Sequence, residues 1–100
     1  MYGNQFAKTF SHGDLSSTLT VAASGETIYV YGIAIASIAG GLAVIEQTDG
    51  TEIAHVRVTA TSTVVIDIPF LADKGLIIRM ETPPAADDSW ATAFHSQTGA

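Results

Sequence analysis

The histidines are the residues of this chain best suited to hold a metal ion or to move a proton. They stand at His12, His55 and His95, and none has the HxH or HExxH spacing that brings two imidazoles onto one metal. The chain has no cysteine, which excludes thiolate sites and disulfides. We therefore predict no metal site and no cofactor, and we expect the histidines to be solvated or to lie in an interface.

The stretch "SHGD" at 11–14 contains the three residue types of a hydrolase triad. A nucleophile, a base and an orienting carboxylate normally come from separate elements, because residues adjacent in sequence cannot converge on one substrate atom. We interpret the stretch as a turn. Gly40-Gly41, which stands in no phosphate-binding glycine pattern, is interpreted as a hairpin turn. The sequence thus predicts no catalytic residue, and a protein that is not an enzyme.

Two further groups of residues have side chains that suit a ligand. Asp87 and Asp88 supply carboxylates, but Ca²⁺ takes six or more oxygens, so we interpret this segment as a solvated loop. Tyr29 and Tyr31 share one face of a strand and carry flat rings that stack on sugars. Such a pair more often packs against a neighbour, and a carbohydrate-binding sandwich using Tyr29, Tyr31 or Trp90 is an alternative.

The composition predicts a small domain whose exterior is partly covered. The 100 residues suit a single core. Hydrophobic residues make up 47% and charged residues 14%, whereas roughly 25% of an ordinary soluble domain is charged. We expect another chain to cover part of such a surface. The net charge of −6, with four scattered basic residues, argues against direct nucleic-acid binding.

The uncharged segment "TIYVYGIAIASIAGGLAVI" at 27–45 has about the length of a membrane helix. Its β-branched residues, its Gly40-Gly41 pair and its acidic flanks argue against insertion, because spanning helices are usually oriented by Lys or Arg. We predict no membrane association. The opening residues lack the apolar stretch of a signal peptide, so we expect synthesis in the cytoplasm.

Turn residues recur at short intervals, and the runs between them are rich in Val, Ile, Thr and Tyr, which favour strands. No segment keeps a helical period of apolar residues. We predict an all-β protein, an antiparallel β-sandwich or jelly roll of about eight short strands, with an N-terminal arm at 1–14 and one domain at 15–100. The predicted strands are 5–10, 15–22, 27–38, 42–48, 52–58, 63–68, 76–82 and 90–96.

Two connections are predicted in detail. In "TDGT", Asp49-Gly50 favours a tight hairpin turn in which both central residues take positive φ, so the strands on either side should pair. In "PFLADKG" at 69–75, Pro69 ends a strand because it has no N–H to donate. Phe70 and Leu71 are then expected to plug the open end of the sandwich.

Alternation of apolar and polar residues along the predicted strands assigns an inner face. The predicted core residues are Leu15, Leu19, Val21, Ala54, Val56, Val58, Val64, Ile66, Ile68, Leu76, Ile78, Met80, Trp90 and Phe94. The strand at 27–38 is apolar on both faces, although a strand with one wet face should carry polar residues there. We therefore predict that another subunit covers this surface. The predicted interface residues are Phe6, Phe10, Tyr29, Tyr31, Ile33, Ile35, Ile53, Val65 and Ile77.

The sequence from "VYGIAIAS" through "LAVIEQTDGTEIAHVRVTATSTVVIDIPFLADKGLIIRM" to "WATAFHS" resembles small β-sandwich virion proteins of tailed bacteriophages, most of all those of cyanobacterial and marine phages. Such proteins are capsid decoration (cement) proteins, often trimeric, or modules of head and tail appendages. The resemblance implies no catalytic residue. It also implies that an N-terminal tail reaches a neighbouring subunit or the shell.

On this resemblance we expect a virion structural protein at the capsid surface, made in the host cytoplasm. It would bind the major capsid protein as a homo-oligomer, with a trimer as the first expectation, and stabilise the shell. The alternatives are a head-fibre, knob or tail-associated adhesion module of the virion, and the carbohydrate-binding sandwich described above.

Overall fold

The computed structural model describes residues 8–67 and 69–96. The regular elements of these residues are nine β-strands, which confirms the all-β prediction. Their bounds are β1 Lys8–Asp14, β2 Leu19–Ala22, β3 Ile28–Ser37, β4 Gly41–Glu46, β5 Glu52–Val58, β6 Ser62–Ile66, β7 Phe70–Ala72, β8 Leu76–Met80 and β9 Ser89–Ser96.

The strands form two antiparallel sheets packed face to face. Sheet A has the order β1-β9-β3-β6, with β7 also paired to β3, and sheet B has the order β2-β8-β4-β5. If β6 and β7 are counted as one interrupted strand, the first strand pairs with the last, the second with the second-last, and so on inwards to β4 and β5. This nested pairing is that of a jelly roll, so the predicted sandwich is confirmed.

The hairpin between β4 and β5 forms where "TDGT" predicts it, but with a different turn. The amide of Gly50 donates to the carbonyl of Gln47 at 2.9 Å. Gly50 has a φ of 94°, whereas Asp49 is not among the residues with positive φ, so the expectation of two positive φ values is wrong. The pairing register shifts between Ile45 and Glu46. A bulge therefore absorbs the additional residue of the loop.

The corner at 69–75 adds a ninth strand in place of the predicted plug. Phe70 and Leu71 belong to β7, which pairs with the first residues of β3 and extends the edge of sheet A beyond β6. Phe70 packs against the core, whereas Leu71 is exposed. Pro69, which has no amide hydrogen, lies between the two edge strands. The predicted core residue Ile68 lies outside the described residues.

The core lies between the sheets and contains most of the predicted residues. Its buried members are Leu15, Val21, Ala22, Ile28, Val30, Ile33, Ile35, Ala43, Ile45, Val58, Ala72, Leu76, Ile78, Met80, Ala91 and Ala93. Leu19, Ala54, Val64 and Ile66 are half-buried against it, as the alternation predicts.

A bulge in β3 overturns part of the predicted face assignment. Val30 pairs with His95 of β9, but Gly32 pairs with the preceding Phe94, so Tyr31 is an additional residue in the ladder. The inner face therefore changes from even to odd positions along β3. Ile33 and Ile35, predicted to lie in an interface, are 1% and 0% exposed and belong to the core.

The alternation predicted for β9 is also wrong. Phe94, expected in the core, is exposed and Trp90 is half-buried, while Ala91 and Ala93 point inward. These alanines are the ladder partners of Ile35 and Ile33 on β3. Since the two isoleucines occupy the space beside them, small side chains fit the inner face of β9, and its large aromatic side chains face outward.

Part of the segment predicted as an N-terminal arm belongs to the sandwich. Residues 8–14 form β1, which pairs with β9 from end to end. The "SHGD" stretch is therefore strand, and its prediction as a turn is wrong. Residues 1–7, including the predicted interface residue Phe6, lie outside the described residues. Within the described part of the chain, no helix is long and apolar enough to cross a membrane.

Candidate functional site

The outer face of sheet A carries large apolar side chains that are open to solvent. We call this surface the aromatic face and define it by Phe10, Tyr29, Tyr31, Val65, Leu71 and Phe94. The exposed fractions are 64% for Phe10, 44% for Tyr29, 67% for Val65, 61% for Leu71 and 49% for Phe94. Tyr31 is partly buried between its neighbours. Such exposure of aromatic and branched side chains on one sheet is typical of an interaction surface.

These side chains form one continuous patch that crosses the sheet. Leu71 is the cross-strand partner of Tyr29, and the rings of Tyr29 and Tyr31 have centroids 5.2 Å apart. On the other side, the rings of Phe10 and Phe94 are cross-strand partners with centroids 6.3 Å apart. Both distances lie in the range of favourable aromatic pairs. The rings are thus held in place by one another before any partner binds.

A shallow groove of about 310 Å³ runs through the middle of the aromatic face. Gly32 and Ala34 of β3 form its floor, and Phe94 of β9 and Val65 of β6 form its walls. The groove exists because the outward positions of β3 carry no side chain or a methyl group, while both neighbouring strands carry larger ones.

Lys8 is the basic residue of the aromatic face. Its ammonium nitrogen lies 4.9 Å from the centroid of the Tyr31 ring. The position allows a cation–π interaction, which orients the lysine stem along the apolar surface. The positive charge therefore sits at one end of the patch.

The outer face of sheet B has the opposite character. Nε of Arg79 lies 3.0 Å from a carboxylate oxygen of Glu46. The ring nitrogens of His55 lie 3.4 Å from Glu81 and 3.6 Å from Glu52. As pairs near the surface these contribute little to the free energy of unfolding, but they keep the face hydrated. The two outer faces of the sandwich are therefore one apolar and one charged.

The predicted interface residues divide among several places. Phe10, Tyr29, Tyr31 and Val65 lie together on the aromatic face, whereas Ile77 is half-buried on the outer face of sheet B. Phe94 and Leu71 belong to the aromatic face but were not predicted. The alternation along β9 would have predicted Phe94 on this face if the odd-numbered residues, and not the even-numbered ones, had been assigned to the core.

Ile53 lies at a different place, the side of the sandwich between the edge strands β5 and β6. It packs against the core and lines an apolar cleft of about 180 Å³ with Ile45, Ala54, Ile66 and Phe70. The prediction that Ile53 points outward from the sheet is therefore wrong. The register shift makes Ile53 the additional residue of β5, so that both Ile53 and Ala54 pack toward the core.

The residues of "SHGD" do not converge. The hydroxyl of Ser11 lies 2.9 Å from Nε2 of His95, His12 lies 2.7 Å from the hydroxyl of Thr92, and Asp14 accepts the amide of Asp87 at 2.7 Å. Each contact joins β1 to β9 or to the loop before it. Sequence reasoning missed the Ser11–His95 pair because 84 positions separate the two residues.

Asp88 of the acidic loop and the three histidines make their polar contacts with other groups of this chain. Asp88 accepts the amide of Ala39 at 2.9 Å, which closes the loop onto the end of β3. In residues 8–67 and 69–96, no three His, Asp or Glu side chains lie close enough together to hold a metal ion.

No protein-family model and no curated protein matches the sequence. Among solved structures, the chain is similar to the Drosophila NLP-core, whose crystal structure concerns pentamer formation and histone binding. That match has 13% identity and a TM-score of 0.55, over 91% of this chain and 98% of that one. A second similarity, with 14% identity and a TM-score of 0.39 over 95% and 93% of the two chains, is to Bacillus endospore appendages, a family of disulfide-linked pili. At these identities the first similarity supports the sandwich fold alone.

Proposed function

We propose that this chain is a non-enzymatic structural subunit that self-associates through the aromatic face. The observation that carries the proposal is the size and continuity of that face. At the exposed fractions given above, its five most exposed side chains present on the order of 600 Å² of mainly apolar surface. A standard interface buries roughly 800 Å² per partner, so the patch supplies most of what a stable contact needs.

The contrast between the two sheets supports the same proposal. A subunit that associates through one face keeps the other in water, and the ion pairs of Arg79 and His55 give sheet B that hydrated surface. The low charge content of the chain agrees with this division. Sheet A thus makes the contact and sheet B remains the exterior of the assembly.

The assembly that we propose is the surface of a tailed-phage capsid, where the chain binds the major capsid protein and stabilises the shell. The sequence resemblance supports this role, and jelly rolls are common among viral capsid domains. The resemblance implies trimers. A head-fibre, knob or tail-associated module is the alternative place in the particle.

Self-association is tested by sedimentation velocity over a wide range of protein concentration. We expect the sedimentation coefficient to rise with concentration above that of a compact monomer. A monomer at all concentrations would contradict the proposal. The virion role is tested separately by quantitative gel bands of purified particles: a decoration protein is present in hundreds of copies, an appendage in a few, and absence from the particles would exclude both.

The rings of Tyr29 and Tyr31 favour a second candidate function, carbohydrate binding. They are neighbours along β3 with ring planes tilted by 49°, and Tyr29 is well exposed, so its ring offers a face on which a sugar can stack. Isothermal calorimetry with a panel of polysaccharides tests this function. Heat of binding that disappears in Tyr29→Ala would favour it, and no heat from the wild type would remove it.

A further inference from the structure

A row of three residues crosses sheet A at the centre of the aromatic face. Phe10 on β1 is the ladder partner of Phe94 on β9, and Phe94 is the partner of Gly32 on β3. Neighbouring strands lie about 4.8 Å apart. Along the row, two aromatic rings therefore stand side by side, and the next position, Gly32, has no side chain. The surface therefore steps down sharply between β9 and β3.

The step continues along both strands. On the outer face, β9 presents Trp90, Thr92 and Phe94, and their ladder partners on β3 are Ala36, Ala34 and Gly32. A ridge with an aromatic residue at either end thus runs parallel to a groove floored by the smallest residues. Ridge and groove are adjacent, of equal length and in register. This is the shape of a surface that complements a rotated copy of itself.

We propose that the partner of the aromatic face is a second copy of this chain, related by a two-fold axis that runs along the strands between β9 and β3. The inference rests on the proposed self-association and specifies its geometry as a two-fold pair, in place of the trimer that the resemblance implies. The rotation places the ridge of each subunit over the groove of the other. Phe94 of each copy then packs against Gly32 of the other, and Trp90 against Ala36.

The same arrangement accounts for the outer strands of sheet A. The rotation brings β1 of one subunit over β6 of the other. By the ladder register, Val65 then lies opposite His12, and Phe10, two residues before His12 on β1, lies diagonally from Val65. Four of the five strands of the sheet are used, and two sheets packed face to face at about 10 Å leave room for both layers of side chains.

A two-fold axis across the strands fails to pair these shapes. It would place β9 over β9, so that the aromatic ridges collide and the grooves face each other empty. Cavities and collisions both cost free energy in a packed interface. The axis along the strands is therefore the one that the register selects.

The groove is tested by filling it. Ala34→Leu adds an apolar side chain at its floor, on the outer face, without touching the core. We expect the dissociation constant of the dimer to rise by about tenfold or more, because the ridge of the partner can no longer seat. The matched control is Thr20→Leu, an exposed position on the outer face of sheet B, which should leave the dissociation constant within about twofold.

Dimer formation is followed by two measurements, the mass of the species in solution and the fluorescence of the chain's own tryptophan. Sedimentation equilibrium gives the mass, which should be twice that of the monomer. Trp90 is the single tryptophan, and it becomes covered in the dimer. Its emission should shift to shorter wavelength as the wild type is concentrated, with no such shift in Ala34→Leu.

The outcomes separate this inference from the proposed function. A wild type that remains monomeric contradicts both. A wild type that forms trimers or rings, or a dimer that Ala34→Leu leaves intact, contradicts the two-fold contact while self-association stands. If Ala34→Leu does not fold, Phe94→Ala removes the ridge instead, and a dissociation constant unchanged in that variant would overturn the inference.

Discussion

The hydroxyl of Ser11 lies 2.9 Å from Nε2 of His95, across the inner side of the β1–β9 pair. Nδ1 of the same ring lies 2.7 Å from the carbonyl of Ser96, which can only accept a hydrogen bond. A neutral His95 therefore donates from Nδ1 and accepts the hydroxyl proton of Ser11 at Nε2. His95 is 4% exposed, and both of its ring nitrogens have a partner. These contacts join the first strand of the sandwich to the last.

We predict that Ser11→Ala lowers the free energy of unfolding by about 1–2 kcal/mol, because it leaves a buried ring nitrogen without its partner. Urea denaturation followed by circular dichroism measures the change. Ser17→Ala, at an exposed position in the loop between β1 and β2, is the control and should be close to neutral. Equal effects of the two substitutions would show that the Ser11 contact contributes nothing.

The two faces of sheet A predict opposite results for one substitution. Ile35→Asp places a carboxylate without a partner in the core and should abolish soluble folding. Val65→Asp places the same group on the exposed aromatic face, so the domain should fold with nearly unchanged circular dichroism but self-associate less. Solubility and size-exclusion chromatography distinguish the two variants. Identical behaviour would mean that the faces are assigned wrongly.

The carboxylate of Asp14 predicts a pH dependence of stability. It accepts the amides of Ser16 at 2.8 Å and Asp87 at 2.7 Å. The amide of Asp87, followed by that of Ser16, holds the pKa of Asp14 below its ordinary value of 3.8. Because the folded-state pKa is the lower one, its stabilisation is complete above about pH 4 and is lost as the pH falls through the folded-state pKa.

Asp14→Ala should therefore lower the melting temperature by a few degrees at neutral pH, and by less as the pH is brought toward 2. Thermal melts of wild type and variant across this range measure the difference. Asp73→Ala, an exposed carboxylate in the turn before β8, serves as the control. A melting-temperature difference for Asp14→Ala that is the same at every pH would contradict the prediction.

Alanine substitutions at two glycines with positive φ distinguish the cost of backbone strain from the cost of a steric clash. At Gly50, with φ of 94°, an added Cβ meets nothing within 4 Å, so Gly50→Ala should cost only the backbone strain of about 1 kcal/mol. At Gly75, with φ of 74°, the Cβ would lie 2.6 Å from the carbonyl oxygen of Ala23. Gly75→Ala should cost more than about 3 kcal/mol by urea denaturation. Similar costs would argue against the close approach at Gly75.

Much of the fold was predictable from the sequence because local signals agree with it. The β-branched runs and regular turns specified the strands, and Asp49-Gly50 located the hairpin between β4 and β5. The alternation of β8 correctly placed Leu76, Ile78 and Met80 in the core. β7 was missed because three residues after a proline carry too weak a strand signal.

The candidate site was predictable only in part. Tyr29, Tyr31 and Val65 were expected to face outward, and they do. Phe10, predicted as an interface residue of the N-terminal arm, lies on the same face from β1. Ile33 and Ile35 were also expected to face outward but are buried, because a single additional residue at Tyr31 reverses the phase of the alternation. Bulges leave no clear mark in a sequence. Phe94 was wrongly predicted in the core for a related reason. The inward residues of β9 are alanines, and their small size is explained only by the neighbouring isoleucines of β3, which the sequence does not show to be adjacent.

By itself, the sequence determined the all-β class, the sandwich, most of the core and an excess of apolar side chains over what one subunit hides. Those properties follow from composition and from alternation within single strands. Only the tertiary structure decided which strands are neighbours, where the register shifts, and that the excess gathers on the outer face of sheet A. Pairings such as Ser11 with His95 and Gly32 with Phe94 join distant parts of the chain, and cross-strand packing, which local preference does not encode, selects them.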